Sequence, residues 1–192
     1  MPAWSPQDAN VLVKMALKGG KPFNQMQLQE LVYIAHGWCL AMSGQPLTGD
    51  RPEALEHGPE YRRLAEALAN WGVEPVTAPI EEISAKVSRM DATLSGDGVL
   101  SPSERNILAR VYAEYGQVDV RKLATVTRAK GTPWDEIYAN GVGNMRDIPH
   151  NLITAQFADV AAKLTGKHRP PRCRLASRAP AGTRTGRDGA QR

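Results

Sequence analysis

Asn24-Gln25-Met26-Gln27-Leu28-Gln29-Glu30-Leu31-Val32-Tyr33-Ile34-Ala35-His36-Gly37-Trp38-Cys39-Leu40-Ala41-Met42-Ser43-Gly44 is the stretch that decides the fold class. Asn24 followed three residues later by Gln27 has the form of a capping box, in which each side chain satisfies the other's backbone N–H. Behind it Leu28, Leu31, Val32, Ala35, Trp38, Cys39 and Met42 recur at the spacing of one broad helical face, and Gly44 supplies the stop. A stripe of that width needs other elements laid against it.

Those elements are spelled out on either side. Ser5-Pro6-Gln7-Asp8 reads as a cap with proline at the first helical position, and Val11, Leu12 and Met15 continue it to Gly19-Gly20. A shorter helix follows Pro59, with Tyr61, Leu64, Ala65 and Leu68 on one face, and ends at Trp71-Gly72. Ser101-Pro102-Ser103-Glu104 is the clearest start signal, leading Ile107, Leu108, Val111, Tyr112 and Tyr115 to Gly116. Asp119 caps a segment holding Val120, Leu123 and Ala124, and Thr132-Pro133 opens one holding Trp134, Ile137 and Tyr138. A last helix falls within 150–165, with Ile153, Phe157, Val160, Ala161 and Leu164.

The helical period fails over 46–57 and 73–95. In the second stretch β-branched Val73, Val76, Ile80, Ile83 and Val87, interrupted by Pro75 and Pro79, fit one or two short strands or a small edge hairpin. The expected class is mainly α with a minor β element. One compact helical domain spans residues 6–165, followed by a disordered basic Arg/Pro/Gly-rich tail over 166–192.

Composition excludes several classes. The chain has 192 residues, 42% hydrophobic and 23% charged, enough for one domain with a sizeable core. No apolar run approaches the roughly 18 residues of a membrane-spanning helix. The N-terminus shows no basic region leading into an apolar stretch, so no secretory leader is expected. Two cysteines, Cys39 and Cys173, cannot build a disulfide framework, and a reducing, cytoplasmic setting follows. The net charge of +4 is uneven: residues 166–192 hold eight basic residues against Asp188 alone. The remaining sixteen basic and nineteen acidic residues leave the folded part at −3. Nucleic-acid binding by counterion release is therefore a property to seek in the tail, which lacks interleaved aromatics for base stacking.

Motifs for catalysis are sparse. There is no phosphate loop, no H-E-x-x-H helix and no C-x-x-C pair. Gly141-Val142-Gly143-Asn144 lacks a preceding strand and reads as a helix-terminating loop. Of His36, His57, His150 and His168, only His36 has a cysteine or second histidine at helical spacing, Cys39, and a structural zinc needs four ligands. Cys39 reads as a small core residue whose apolar neighbours raise its thiol pKa and blunt any nucleophilic role. Glu81-Glu82 and Asp135-Glu136 are adjacent pairs whose side chains diverge, as solvated charges do. The expectation is a protein without catalytic machinery, metal or cofactor.

Met26–Trp38, then Gly44-Gln45-Pro46-Leu47, Glu53-Ala54-Leu55 with Gly58-Pro59, and Tyr115-Gly116 with Leu123, Thr127 and Pro133-Trp134 occur in an order and spacing that resemble the Panacea domain. This is the domain of SocA-like antitoxins and of phage-associated GepA-like proteins, and the resemblance covers roughly residues 8–165. It departs from the family pattern at Leu55 for a tryptophan, Glu60 for a valine and Arg128 for a histidine. The resemblance implies an interaction protein that binds and neutralises a toxin encoded by a neighbouring gene, and that can deliver it to a cytoplasmic protease. It places the partner-binding neighbourhood at Tyr33, His36, Gly58, Pro59, Thr127 and Trp134, with Arg128 as a replacement anchor at the histidine position. Beside that reading, Leu28, Leu31, Val32, Ala35 and Trp38 have the spacing of core residues, and Gly58-Pro59 has the chemistry of a turn leading into a helix. Tyr33, His36 and Trp134 carry amphipathic rings that suit a core and an interface equally.

Overall fold

A computed structural model describes residues 3–80 and 100–165. Among the described residues there are seven α-helices and a three-stranded sheet: α1 (Ser5–Lys18), α2 (Gln25–Ser43), β1 (Glu53–Leu55), β2 (Gly58–Glu60), α3 (Arg62–Leu68), α4 (Pro102–Tyr115), α5 (Val120–Thr127), α6 (Pro133–Tyr138), β3 (Arg146–Asp147) and α7 (His150–Thr165). The mainly α class with a minor β element holds. The tail from residue 166 and the stretch 81–95, including Ile83, Val87 and Glu81-Glu82, lie outside the described residues.

Helix α2, about 28 Å long at 1.5 Å per residue, is the axis of the fold. Its capping box forms as the sequence implies: Gln27 N–H donates to Asn24 Oδ1 at 2.9 Å, and Asn24 N–H to Gln27 Oε1 at 3.2 Å. Gly44 ends it in the left-handed region at φ 73°. Between those ends every residue from Leu28 to Leu40 is buried, because α1, α3, α4, α5, α7 and β2 all pack around it. The expected one-sided stripe is therefore a helix buried all round, which brings Gln29, Glu30 and His36 inside with the apolar residues. The closest approach is to α7: a Cβ built on Gly37 would overlap the Phe157 ring, so only glycine lets the two helices meet there.

Local capping chemistry held at three further helix starts. Glu104 N–H donates to Ser101 Oγ and Ser101 N–H to the Glu104 carboxylate at 2.6 Å. Asp119 accepts from Arg121 N–H at 2.9 Å and Thr132 from Asp135 N–H at 3.4 Å. At α1 the expectation is corrected. Trp4, not Ser5, holds the cap position, with Gln7 Oε1 accepting from Trp4 N–H at 2.9 Å. The Ser5 N–H donates to Asp50 Oδ2 at 2.9 Å, so a carboxylate 45 residues away serves the helix end.

The β element is also relocated. Residues 73–80, where strands were expected, form none; Val76 N–H donates to Phe23 O at 2.7 Å, and Ile80 N–H to Asn10 Oδ1 at 3.0 Å. The hairpin is β1–β2, registered Glu53↔Glu60, Ala54↔Pro59 and Leu55↔Gly58, and β3 pairs with the other side of β1. Gly58-Pro59 is thus part of a strand and not a turn leading into a helix. Proline is admissible because β2 is an edge of the sheet.

Candidate functional site

The hairpin lies against the N-terminal half of α2, and two polar residues on that helix hold it. Gln29 clamps the chain after β2: its Oε1 accepts from Tyr61 N–H at 2.9 Å and its Nε2 donates to Tyr61 O at 3.2 Å. The next residue, Glu30, is 2% exposed and lies under Gly58. Gly58 has φ 127°, and a Cβ there would stand 3.1 Å from Arg128 Cδ and 3.3 Å from Glu30 Oε1. Glycine is required here both for the backbone conformation and for the close approach.

From the opposite side α5 brings Thr127 and Arg128. Arg128 Nε is 3.9 Å from Glu30 Oε1, an ion pair without a hydrogen bond. Glu30 Oε2, Thr127 Oγ1 and Arg128 Nε are all buried and all lack a hydrogen-bond partner among the described residues. Burial raises the Glu30 pKa, with Thr127 and Arg128 pulling the other way. Unpaired buried polar atoms are costly in a finished core, and three beside one another mark a place where the fold alone leaves hydrogen bonds unmade.

A cleft of about 320 Å³ opens beside this cluster, lined by Asn24, Gln25, Met26, Gln29, Glu30, His57, Gly58, Pro59, Glu60, Gly72 and Val73. Met26 and Val73 are among the exposed large apolar side chains, 40% and 87% accessible. Glu60 faces Glu53 across the hairpin. Burial first and Glu53 second raise the Glu60 pKa, against Arg62 and His57, while Arg62 holds Glu53 through two bonds of 2.9 and 3.2 Å.

The seven residues singled out from sequence separate into two groups. Gly58, Pro59, Thr127 and Arg128 meet at the Glu30 cluster. Trp134 stands next to them, its Nε1–H donating to Leu55 O at 2.7 Å and its ring stacked on Tyr138 at 5.0 Å. Tyr33 and His36 are fully buried and lie away from the Glu30 cluster, against α7 and the 48–61 region; Thr127, Gly58 and Pro59 are buried too, but at the cluster itself. Tyr33 donates to Gln156 Oε1 at 3.1 Å and packs edge-on to Phe157, tying α2 to α7. His36 accepts from Thr48 N–H on Nδ1 and lies 5.0 Å, ring to ring, from His150. Burial, and then His150, lower its pKa to about 3.

Glu30 was not singled out from sequence, although a carboxylate at the mouth of the Leu28–Leu40 run was the available signal. The three departures from the family pattern are neighbours as well. Leu55 and Gly58 are paired in the hairpin, Glu60 lines the cleft, and Arg128 lies against Gly58. Cys39 is a buried core thiol, its pKa raised by burial. Among the described residues no group of three or more metal-ligating side chains comes together, and no helix is long and apolar enough to cross a membrane.

Residues 28–135 match the family described as Antitoxin SocA-like, Panacea domain. That span contains α2 from Leu28 on, the hairpin, α5 and all seven candidate residues. The chain is 30% identical over 140 residues to Antitoxin SocA of Caulobacter vibrioides (strain NA1000 / CB15N), which covers 70% of each chain. No solved structure matches it. With the expected helical scaffold in place and the family match running through the hairpin cluster, this chain belongs to the SocA-like antitoxin family, built on the Panacea domain.

Proposed function

We propose that this chain is an antitoxin that binds its partner toxin directly and neutralises it without a catalytic step. The partner is seated where β1–β2, the start of α2 and α5 converge. The observation that carries this reading is the family match over residues 28–135, which runs through the Glu30 cluster and most of the lining of its cleft. Arg128 and Trp134, both partly exposed, have the side-chain types that dominate protein interfaces. As the resemblance implies, the complex also presents the toxin to a cytoplasmic protease, this chain acting as adaptor.

The test is growth rescue: each adjoining gene is expressed alone and then together with this chain. Relief of toxicity by one of them, with co-purification of the pair, is the expected result. If no neighbour is toxic, or none is relieved, the reading fails. The adaptor step is tested by the toxin's half-life, which shortens on co-expression only in cells that retain the protease.

The charge of +7 on residues 166–192 favours a second reading, a nucleic-acid-associated regulator working through the tail. It requires salt-sensitive DNA or RNA binding that disappears when the chain is truncated after Thr165.

A further inference from the structure

We propose that the cleft beside Glu30 is a receptor for one basic side chain, lysine or arginine, presented by the partner polypeptide. This rests on the antitoxin reading above and deepens it. The first ground is the underused acceptor: Glu30 lines the cleft, is 2% exposed, and its Oε2 has no donor in hydrogen-bond geometry, although the Thr127 hydroxyl approaches the carboxylate. A buried carboxylate oxygen in that state calls for a donor, and a charged donor answers it most strongly.

The second ground is the balance of charge around the opening. Glu30 and Glu60 both line it, whereas Arg128 and Thr127 approach Glu30 from α5 and do not. Arg128 offsets one carboxylate at 3.9 Å. Arg62 is committed to Glu53. Of the remaining lining groups Gln29 is engaged with Tyr61, and Asn24 and Gln25 offer neutral amide donors that leave the carboxylate charge in place. His57 is the other titratable group on the rim. A cation entering the cleft therefore meets an excess of negative charge.

The third ground is shape and polarity. Met26 and Val73, both exposed, and Pro59 supply the apolar part of the lining beside Glu30 and Glu60. Lysine and arginine carry an aliphatic stem below a charged head, and bury the stem along apolar surface while the head finds its partner. A purely apolar side chain would leave Glu30 Oε2 unpaired, and an acidic one would be repelled.

The experiment titrates the full chain, followed by amide proton–nitrogen NMR, with N-acetyl-lysine methylamide and N-acetyl-arginine methylamide, using N-acetyl-norleucine methylamide as the uncharged control. Saturable shifts at the Gly58, Glu60 and Val73 amides are expected for the two cations and not for norleucine. They should weaken about tenfold in Glu60→Gln and in Glu30→Gln, as loss of a charge-assisted hydrogen bond requires. Glu60 is only partly buried, so its variant keeps the test open if Glu30→Gln fails to fold. Equal shifts with norleucine, or cation shifts unchanged in Glu60→Gln, overturn the proposal, as does the absence of any saturable shift, which would mean that water alone fills the cleft.

Growth rescue separates this inference from the reading beneath it. If the wild-type chain relieves a toxin and Glu60→Gln relieves it equally, the cleft is not the partner's seat and the inference falls while the antitoxin reading stands. Rescue lost in Glu60→Gln, and restored by reversing the charge of one basic residue of the toxin in a Glu60→Lys background, supports both.

Discussion

The two halves of α2 both bury polar groups, but only one of them borders a cleft. In its middle, Tyr33 and His36 are enclosed by α7 and the 48–61 region, Tyr33 has its hydroxyl bonded, His36 Nε2 and Trp38 Nε1 are buried without a partner and away from the cleft, and Gly37 lets Phe157 close the packing. At its N-terminal end Glu30 is as deeply buried and one of its oxygens is also unpaired, but a cleft opens beside it. One helix thus serves as the sealed axis of the fold and as the floor of a site. Burial and unpaired polar atoms occur in both halves; what sets Glu30 apart is the cleft that opens beside it.

The sharpest way to break this contrast is to disturb the sealed half. Phe157→Ala should cost about 4 kcal/mol, as large-to-small core changes do, and Gly37→Ala about 2–3 kcal/mol through overpacking. Because the alanine methyl occupies space the ring vacates, the double variant should lose clearly less than the sum, measured by urea unfolding. Additive losses would mean that the two residues do not share one contact.

Acid should also act on the sealed half. His36 has a folded pKa of about 3, below the roughly 6.5 of an unfolded chain. Its contribution is present in full above pH 6.5 and is lost as the pH falls towards 3, at up to about 1.4 kcal/mol per pH unit. The raised pKa values of Asp8, Glu30 and Glu60 act with the opposite sign, favouring the fold as pH falls through the acidic range. Wild type compared with His36→Gln isolates the histidine: the variant should show a shallower acid decline in thermal midpoint. Parallel curves would exclude His36 as the titrating group.

At the open end Gly58→Ala should cost about 1–3 kcal/mol, given φ 127° and the crowding against Arg128 and Glu30. Its effect on toxin binding should exceed its effect on melting. The smallest change is Trp134→Phe, which removes the bond to Leu55 O and should cost about 1 kcal/mol. If binding and stability fall equally in both variants, the hairpin end is core like the rest of α2.

Capping was the most legible feature of this chain. Asn24, Ser101, Asp119 and Thr132 each satisfy N–H groups within three residues, so the chemistry is complete in the local sequence. At α1 the same reasoning named Ser5 and missed Asp50, because the acceptor comes from a distant loop. Of the site, Gly58, Pro59, Thr127, Arg128 and Trp134 were found through their resemblance to a family pattern. Glu30 was missed because periodicity alone assigns it to the face outside the apolar stripe. Tyr33 and His36 were placed at the interface because an amphipathic ring looks alike in both settings.

The sequence by itself determined which segments are helical and where the helices capped by Asn24, Ser101, Asp119 and Thr132 begin, that their apolar faces must meet, and that the folded part and the tail differ in charge. These depend on interactions within a few residues or on composition. Only the tertiary structure decided that α2 is enclosed on all sides, that 146–147 joins the hairpin as a third strand, and that Glu30, Gly58 and Arg128 share one locus. Each of those depends on groups brought together from distant parts of the chain, and a helical period records which residues share a face but not what comes to cover it.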